Sequence, residues 1–336
     1  MFRYGMGAAE CEDSLFEPLV EILTRLPRPH SLEIDGFSFV PPELGCNPVG
    51  LFCDTPIVSR LRTLHLIGYK LQGSSQYVRS FFHLLSLFGE VGRLFISCIG
   101  DEECGQDTEA LISRIPLKIH SLTIRPRPDI LNSLALLPHI SAVRSLDLPE
   151  APCYALAPFF TVAGSTLEHL SCALLESPSL SQYKARLAPH ELAPLDWALL
   201  PALQSLAVTF SALVLPNAAE DGVDVLLYGR VHTALVGMLQ ALPPTLHTVE
   251  LRVACLPLTG VFAARHTNGV PAVSIGGVPL QADWEPLDKL LADRVPTGLR
   301  TVRFAEAIRL CFGCDVRAQL VRLLPQLTKT GVLEFD

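Results

Sequence analysis

A six-residue pattern of apolar and polar positions recurs along the whole chain. The pattern is apolar-x-x-apolar-x-apolar, as in the segment LRTLHL at 61–66. Its last two apolar residues are two positions apart, so both point to the same face of an extended strand. The pattern therefore predicts ten strands, whose central apolar residues are Leu32, Leu64, Leu94, Leu122, Leu146, Leu170, Leu206, Val249, Val302 and Leu333.

The positions on either side of each central residue are mostly polar or small. Ser31, Thr63 and Ser121 come just before a central residue, and Glu33 and Glu250 come just after one. Because successive residues of a strand point to opposite faces, these positions share the face that the central residues avoid. The pattern predicts a sheet with one buried face and one face exposed to water.

Between the predicted strands, the apolar spacing changes to about 3.6 residues, which is the period of an α-helix. Gly89 is expected to end the second of these helices, and Asp315 is placed to cap a later helix that carries Leu320. The three clearest helical stripes are Leu15, Leu19, Ile22, Leu23 and Leu26; Val78, Phe81, Phe82, Leu85 and Phe88; and Leu227, Val231, Leu235, Met238, Leu239 and Leu242.

Two architectures alternate strands and helices in this way. One is an open right-handed α/β solenoid (a horseshoe) with about ten parallel strands and helices on its convex side, and the other is a closed parallel βα barrel. Barrel strands are buried on both faces and appear as nearly continuous apolar runs, whereas these strands alternate with polar residues. We therefore expect a single irregular leucine-rich-repeat-like domain over 1–336, with the barrel as the alternative.

The repeated segments resemble those of the leucine-rich-repeat superfamily. VSRLRTLHLIG at 58–68, AVRSLDLPE at 142–150 and PALQSLAV at 201–208 are similar in style to the repeat region of fungal F-box-like proteins. The resemblance implies a protein-binding horseshoe. It also implies an F-box that binds a ubiquitin-ligase adaptor, and we expect that segment to lie outside this sequence. Where the family has a ladder of asparagines, this chain has Phe37, Tyr69, Ile99 and Arg127, so irregular curvature is expected.

The charge balance narrows the set of partners. The formal net charge is −8, and Lys and Arg are scattered singly along the chain, which disfavours nucleic acid and anionic membranes as partners.

No stretch reaches the roughly 18 apolar residues of a membrane helix, and Glu10, Glu12 and Asp13 interrupt any apolar signal-peptide core. Ten cysteines then indicate free thiols in a reducing compartment. We expect a cytoplasmic or nuclear protein.

The sharpest chemical motif is the pair Cys311 and Cys314, spaced CFGC between a predicted strand and a predicted helix. A helix N-terminus there would stabilise a reactive thiolate. The alternative is two ordinary loop or core cysteines, which we favour because no second pair of ligands has zinc-site spacing. The sequence also lacks HExxH, GxSxG and Walker-type motifs. We therefore predict no catalytic residue, metal site or cofactor.

Two segments are candidate interaction surfaces. The first is the polar strand face, since arginine and aromatic residues commonly anchor protein interfaces. The second is an irregular insertion at 256–284, rich in Gly, Pro and Val, which either projects as a hairpin or folds over the flank of the array. The candidate partner-binding residues on the strand face are Arg93, Phe95, Arg125, His169, Arg252 and Arg303.

The leading hypothesis is a non-enzymatic protein-binding scaffold, in one version the substrate-recognition part of an F-box-like ubiquitin-ligase receptor. The first alternative is a βα-barrel enzyme, which predicts clustered ionisable groups at the C-terminal ends of the strands. The second is a divergent family member without a maintained function.

Overall fold

The chain is an α/β protein built from parallel strands with helices between them. It divides into two compact units, Met1–Ala151 with Ala155–His169, and Pro152–Tyr154 with Leu170–Asp336. The computed structural model describes residues 2–5, 16–26, 29–35, 55–70, 75–99, 109–110, 112–126, 130–152, 156–174, 196–217, 222–256, 274–275, 278–281, 283–305 and 316–335.

In the first unit, each described strand is parallel to the next one along the chain. The strands are β1 (Phe2–Gly5), β2 (Ser31–Asp35), β3 (Val58–Lys70), β4 (Phe88–Ile99), β5 (Lys118–Pro126) and β6 (Ser145–Pro152). The helices are α1 (Phe16–Arg25), α2 (Ser75–Ser86), α3 (Ile130–Leu134) and α4 (Ala157–Ala163), with short 3₁₀ turns at Ile140–Ala142 and Gly164–Thr166.

The second unit begins with β7 (His169–Ala173), which lies beside β8. Its other strands are β8 (Ser205–Asn217), β9 (Gly222–Tyr228), β10 (Thr248–Leu256), β11 (Ser274–Ile275), β12 (Val278–Gln281), β13 (Thr301–Ala305) and β14 (Leu333–Phe335). Its helices are α5 (Gly229–Ala241), α6 (Glu285–Arg294), α7 (Val316–Leu323) and α8 (Pro325–Thr330), with 3₁₀ turns at Trp197–Leu199 and Val295–Thr297. The parallel order is β8, β10, β13 and β14, while β9, β12 and β11 add antiparallel pairings beyond β8.

All ten predicted strands form, and their central residues stack in register from Leu32 to Leu146 in the first unit and from Leu206 to Leu333 in the second. In the first unit Leu64 pairs with Leu32 on one side and with Leu94 on the other. In the second unit Val249 pairs in the same way with Leu206 and Val302. From Leu32 to Val302 these central residues are at most 3% exposed, so within each unit they form an apolar column against which the repeats of that unit pack.

The predicted polar face is also confirmed. On β13, Val302 and Phe304 are buried, whereas Thr301, Arg303 and Ala305 between them are half-buried. On β5, Leu122 and Ile124 are buried while Arg125 is exposed. Several positions on this face are buried, among them Glu33, Ser171 and Ala207. The strands therefore have one buried face and one face that reaches solvent.

The helices follow the predicted stripes with three differences. Ile22 is 37% exposed, so α1 packs with Leu19 and Leu23 instead. Leu227 lies in β9 and not in the third predicted helix, because the alternation of Val223, Val225 and Leu227 has a strand period. Leu15 and the proposed cap Asp315 lie outside the described residues.

The third difference concerns Gly89, which was expected to end a helix. The helix α2 ends at Ser86, so Phe88 of the second predicted stripe and Gly89 both lie inside β4 instead of in the helix. A Cβ atom at Gly89 would lie 2.9 Å from the Ser59 carbonyl oxygen, and one at Gly92 would lie 2.7 Å from the Arg62 carbonyl oxygen. Both glycines therefore allow the start of β4 to approach β3 closely, which any larger residue would prevent.

Threonine hydroxyls link neighbouring repeats in both units. The Thr166 hydroxyl lies 2.6 Å from the Ser141 carbonyl oxygen and 3.2 Å from that of Val143. The Thr245 hydroxyl lies 2.9 Å from the carbonyl oxygens of both Pro201 and Leu203. Each threonine stands four residues before its central residue and bonds to the same two positions of the preceding repeat. The two threonines therefore make equivalent bonds between repeats.

The backbone repeats a second link at the start of several strands. The N–H groups of Arg62 and Thr63 both donate to the His30 carbonyl oxygen, at 3.0 and 3.2 Å. Three other carbonyl oxygens each accept from two successive N–H groups in the same way. The donors and acceptors are Glu168 and His169 to Arg144, His247 and Thr248 to Gln204, and Arg300 and Thr301 to His247. These bonds satisfy backbone donors at the point where each chain enters the sheet.

The helix α6 contacts the ends of two other helices through charged side chains. The Asp288 carboxylate is 1% exposed and accepts hydrogen bonds from the N–H groups of Gln326 and Leu327 at 2.8 Å each, which caps the start of α8. The Arg294 guanidinium donates to the Leu242 carbonyl oxygen at 2.8 Å, just beyond the end of α5. Burial lowers the pKa of Arg294 below its ordinary value, and the carbonyl oxygens near it suit the positive charge of its guanidinium.

The predicted insertion at 256–284 is described only in part. Its β11 and β12 pair antiparallel, and β12 also pairs with β9. The turn expected at Asn268 and Gly269 lies outside the described residues.

We expect Gly92→Ala to lower the free energy of unfolding by about 1–3 kcal/mol, because the new Cβ would overlap the Arg62 carbonyl oxygen. The matched control is Gly237→Ala, in the exposed interior of α5, where a Cβ has no neighbour within 4 Å. That change should stabilise the protein by up to about 1 kcal/mol through helix propensity. Urea denaturation measures both values, and equal effects of the two substitutions would contradict the close approach at Gly92.

Candidate interaction surface

The solvent-facing side of the first unit has two rows of residues in register. One row runs from Thr63 through Arg93 to Ser121. The other runs through His65, Phe95 and Thr123, and reaches Glu33 on one side and Asp147 on the other. Because the strands are about 4.8 Å apart, residues of one row are close enough to act as a single surface.

Arg93 and Phe95 form the centre of this surface on β4. Both point to the solvent side because they are two positions apart, with buried Leu94 between them. Arg93 is exposed and Phe95 is half-buried. The Phe95 ring packs against the His65 imidazole with 5.3 Å between ring centroids. This contact holds an aromatic ring in place beside an exposed guanidinium.

Arg125 stands on β5, diagonal to Phe95, because it pairs with Ser97. Its guanidinium is 4.0 Å from the Asp147 carboxylate, and the two side chains are 50% and 34% exposed. A pair this long and this exposed contributes little to stability. The Arg125 side chain is therefore available to a partner at little energetic cost.

The remaining predicted residues have other surroundings. In the second unit, Arg252 donates to the Glu250 carboxylate at 2.6 Å and to the Ser171 hydroxyl at 2.9 Å. Arg303 donates to the Glu334 carboxylate at 3.2 Å. His169 is exposed and is the first residue of β7. The structure thus brings together Arg93, Phe95 and Arg125, whereas Arg252 and Arg303 bond to neighbouring side chains of their own unit.

A second cluster of ionisable residues lies at the N-terminal ends of the strands in the first unit. The Glu90 carboxylate is 3.1 Å from the His120 imidazole and 3.5 Å from the Arg60 guanidinium. Arg60, Glu90 and Lys118 stand in register on β3, β4 and β5. The cluster borders a cleft of about 1100 Å³ whose lining includes Leu26, Pro29, His30, Pro56, Ile57 and Arg62.

Sequence reasoning missed this cluster because its members belong to different repeats. The sequence signal was their common position, since Arg60, Glu90 and Lys118 each stand four residues before a central residue. Only alignment of the repeats with one another brings these three residues into one row.

The hydrogen bond from His120 lowers the pKa of Glu90 below its ordinary value. Burial acts in the opposite direction, while Arg60, His120 and Lys118 lower this pKa further through their charges. Because the pKa is lower in the folded protein than in the unfolded chain, Glu90 stabilises the fold above the unfolded-state pKa. That stabilisation is lost as the pH falls through the folded-state pKa.

In the described part of the chain, no group of three or more His, Cys, Asp or Glu residues is arranged to hold a metal ion. Cys172 is buried, and the CFGC pair lies outside the described residues. Among the described helices, none is long and apolar enough to cross a membrane.

Comparisons with protein-family models, with curated proteins and with solved structures find no match for this chain. The class of protein therefore rests on the strands themselves, which define an α/β protein with a parallel, repeat-like sheet.

We expect His120→Ala to raise the pKa of Glu90, because it removes the hydrogen bond that contributes most to the lowering. The measurement is the pH titration of the Glu90 carboxyl carbon by NMR. His139→Ala is the matched control, since His139 also lines this edge but makes none of the contacts that lower the pKa of Glu90. An unchanged Glu90 titration in the His120 variant would show that the hydrogen bond does not control this carboxyl.

Proposed function

We propose that this protein is a non-enzymatic scaffold that binds another protein through the solvent-facing strands of its first unit. The observation that carries the proposal is the group Arg93, Phe95 and Arg125 on that face, where two exposed guanidiniums flank a supported aromatic ring. Arginine and aromatic residues are the types that most often dominate binding energy at protein interfaces.

The size of the face supports a protein ligand. Six parallel strands spaced about 4.8 Å apart cover about 24 Å across the first unit. A standard interface buries about 800 Å² on each partner, which a surface of this width can supply. The rows of serine and threonine around the central residues provide hydrogen-bonding groups for the polar rim of such an interface.

We further propose that the strands belong to an open leucine-rich-repeat-like solenoid, with its helices on the convex side. The half-exposed polar face supports this arrangement, because a closed barrel would bury both faces of every strand. The threonine bonds between repeats support it as well. Leucine-rich-repeat proteins join their repeats through a ladder of asparagines, and in this chain Thr166 and Thr245 make bonds between repeats from another position. An F-box-like substrate receptor is the most specific version of this proposal.

The position of the ionisable cluster also favours a scaffold over a barrel enzyme. Glu90, His120 and Arg60 lie at the N-terminal ends of the strands, whereas barrel enzymes place their catalytic groups at the C-terminal ends. We accordingly propose a protein without catalytic residues or cofactor, acting in the cytoplasm or nucleus on a protein partner, with neither nucleic acid nor membrane as its target.

Small-angle X-ray scattering of the purified chain tests the architecture. A compact protein of 336 residues should have a radius of gyration of about 20 Å. An open solenoid should give a clearly larger value, because its mass lies along an arc. A value of about 20 Å would contradict the solenoid and favour the barrel.

The binding surface is tested by a triple variant with Arg93→Glu, Phe95→Ala and Arg125→Glu. A partner is first captured from an extract of the source cells and purified, and its affinity for the chain is then measured by calorimetry. We expect the triple variant to lose at least about tenfold in affinity, because it removes one aromatic contact and reverses two charges.

The matched control is Arg114→Glu, Leu136→Ala and Arg300→Glu, which makes the same kinds of change at exposed positions outside this face. The control should retain the native affinity, and circular dichroism should show both variants folded. Failure to capture any discrete protein, or equal affinity of the two variants, would contradict the proposed surface.

A further inference from the structure

The N-terminal ends of the strands in the first unit border two adjoining clefts. One has a volume of about 1100 Å³ and the other of about 490 Å³, and both are lined by Ser59 and Glu90. We call this pair of clefts the basic cleft, for the side chains that surround it. It lies at the ends of the strands and is distinct from the strand face that carries Arg93 and Phe95.

Cations outnumber carboxylates around the basic cleft. Arg60, Arg62 and Lys118 are exposed, and they come from two different strands. Among the described residues that line the cleft, Glu90 is the one carboxylate, and it is already bonded to His120 and Arg60. Among the described lining residues, the rim therefore carries more positive than negative charge, on a chain whose formal net charge is −8. Such a local excess attracts an anionic group.

The floor of the basic cleft is apolar. Leu26, Pro29, Pro56 and Ile57 are half-buried there, with Leu23 and Leu61 buried behind them. An apolar floor beneath a positive rim fits a ligand that has both apolar groups and negative charges. An inorganic anion such as phosphate or sulfate has no apolar part to cover these side chains.

The backbone at this edge is not arranged to cradle phosphate. The Val58 N–H donates to the Leu87 carbonyl oxygen at 3.0 Å, and the N–H groups of Arg62 and Thr63 donate to His30. Phosphate-binding loops instead direct unbonded N–H groups at the ligand. Binding here depends on side-chain cations, which suit carboxylates carried on a chain.

We propose that the basic cleft binds an acidic segment of a partner protein. Carboxylates of the segment pair with Arg62 and Lys118 at the rim, and an apolar side chain of the same segment lies against Pro56 and Ile57 on the floor. Nucleic acid fits less well, because neutralising a phosphate backbone takes more cations than this rim offers. This site does not depend on the strand face proposed above, and either can exist without the other.

The test uses a fluorescein-labelled synthetic peptide in which glutamate alternates with leucine. Fluorescence anisotropy with the full chain should show saturable binding that weakens as salt is added. A peptide with glutamine in place of glutamate should bind at least about tenfold more weakly, as expected when several exposed ion pairs are lost together.

The variant Arg62→Glu with Lys118→Glu should reduce the affinity for the acidic peptide at least about tenfold. It leaves Glu90, Arg60 and His120 themselves unchanged, and circular dichroism should show that the variant is folded. The matched control is Lys289→Glu with Lys329→Glu, which makes the same change in charge at exposed positions of the second unit. This control should bind like the native chain.

Several results would overturn the proposal. They are the absence of saturable binding, equal loss in the two double variants, and binding of a single-stranded oligonucleotide as tight as that of the peptide. None of these results bears on the strand face, whose own test uses substitutions at Arg93, Phe95 and Arg125.

Discussion

The structure depends on the stacking of one apolar residue per repeat against the same residue of the next repeat. Leu64 is covered by Leu32 and Leu94, and Val249 by Leu206 and Val302. A strand with its helix cannot bury this face alone, so each repeat is stable only beside another one. The same alternation leaves most described positions of the opposite face partly exposed to solvent. The core and the candidate binding surface are thus two sides of one repeating pattern.

The strands could be predicted because their signal is local and repeated. A spacing of two residues defines the buried face wherever it occurs, and ten copies of the pattern reinforced each other. The sequence was a poorer guide where one residue type serves two structural purposes. Gly89 was expected to end a helix, but it lies in β4 because the strand must approach Ser59 closely. Leu227 satisfies both a helical and a strand period, and the strand prevails in β9.

The candidate site was predictable where its residues share a strand and hidden where they do not. Arg93 and Phe95 are two positions apart, so their common face follows from the sequence. The hydrogen bond from Arg252 to Ser171 could not be predicted, because it joins residues from separate repeats. The basic cleft was missed for the same reason, since basic residues that are scattered along the chain become neighbours when the repeats align. Single-sequence reading judges clustering along the chain, whereas the electrostatic field depends on clustering in space.

Two charged residues of α6, Asp288 and Arg294, connect this helix to a later and an earlier part of the chain. Asp288 fixes the start of α8 and Arg294 lies against the last carbonyl groups of the α5 region. The register between β10 and β13 is therefore reinforced from the helical side, even though the longest interval between central residues separates Val249 from Val302. Asp288 and Arg294 stand near the C-terminal end of that interval, so a change of length before Glu285 would leave these contacts in place. The alignment of β10 with β13 is thus separated from the length of the segment that connects them.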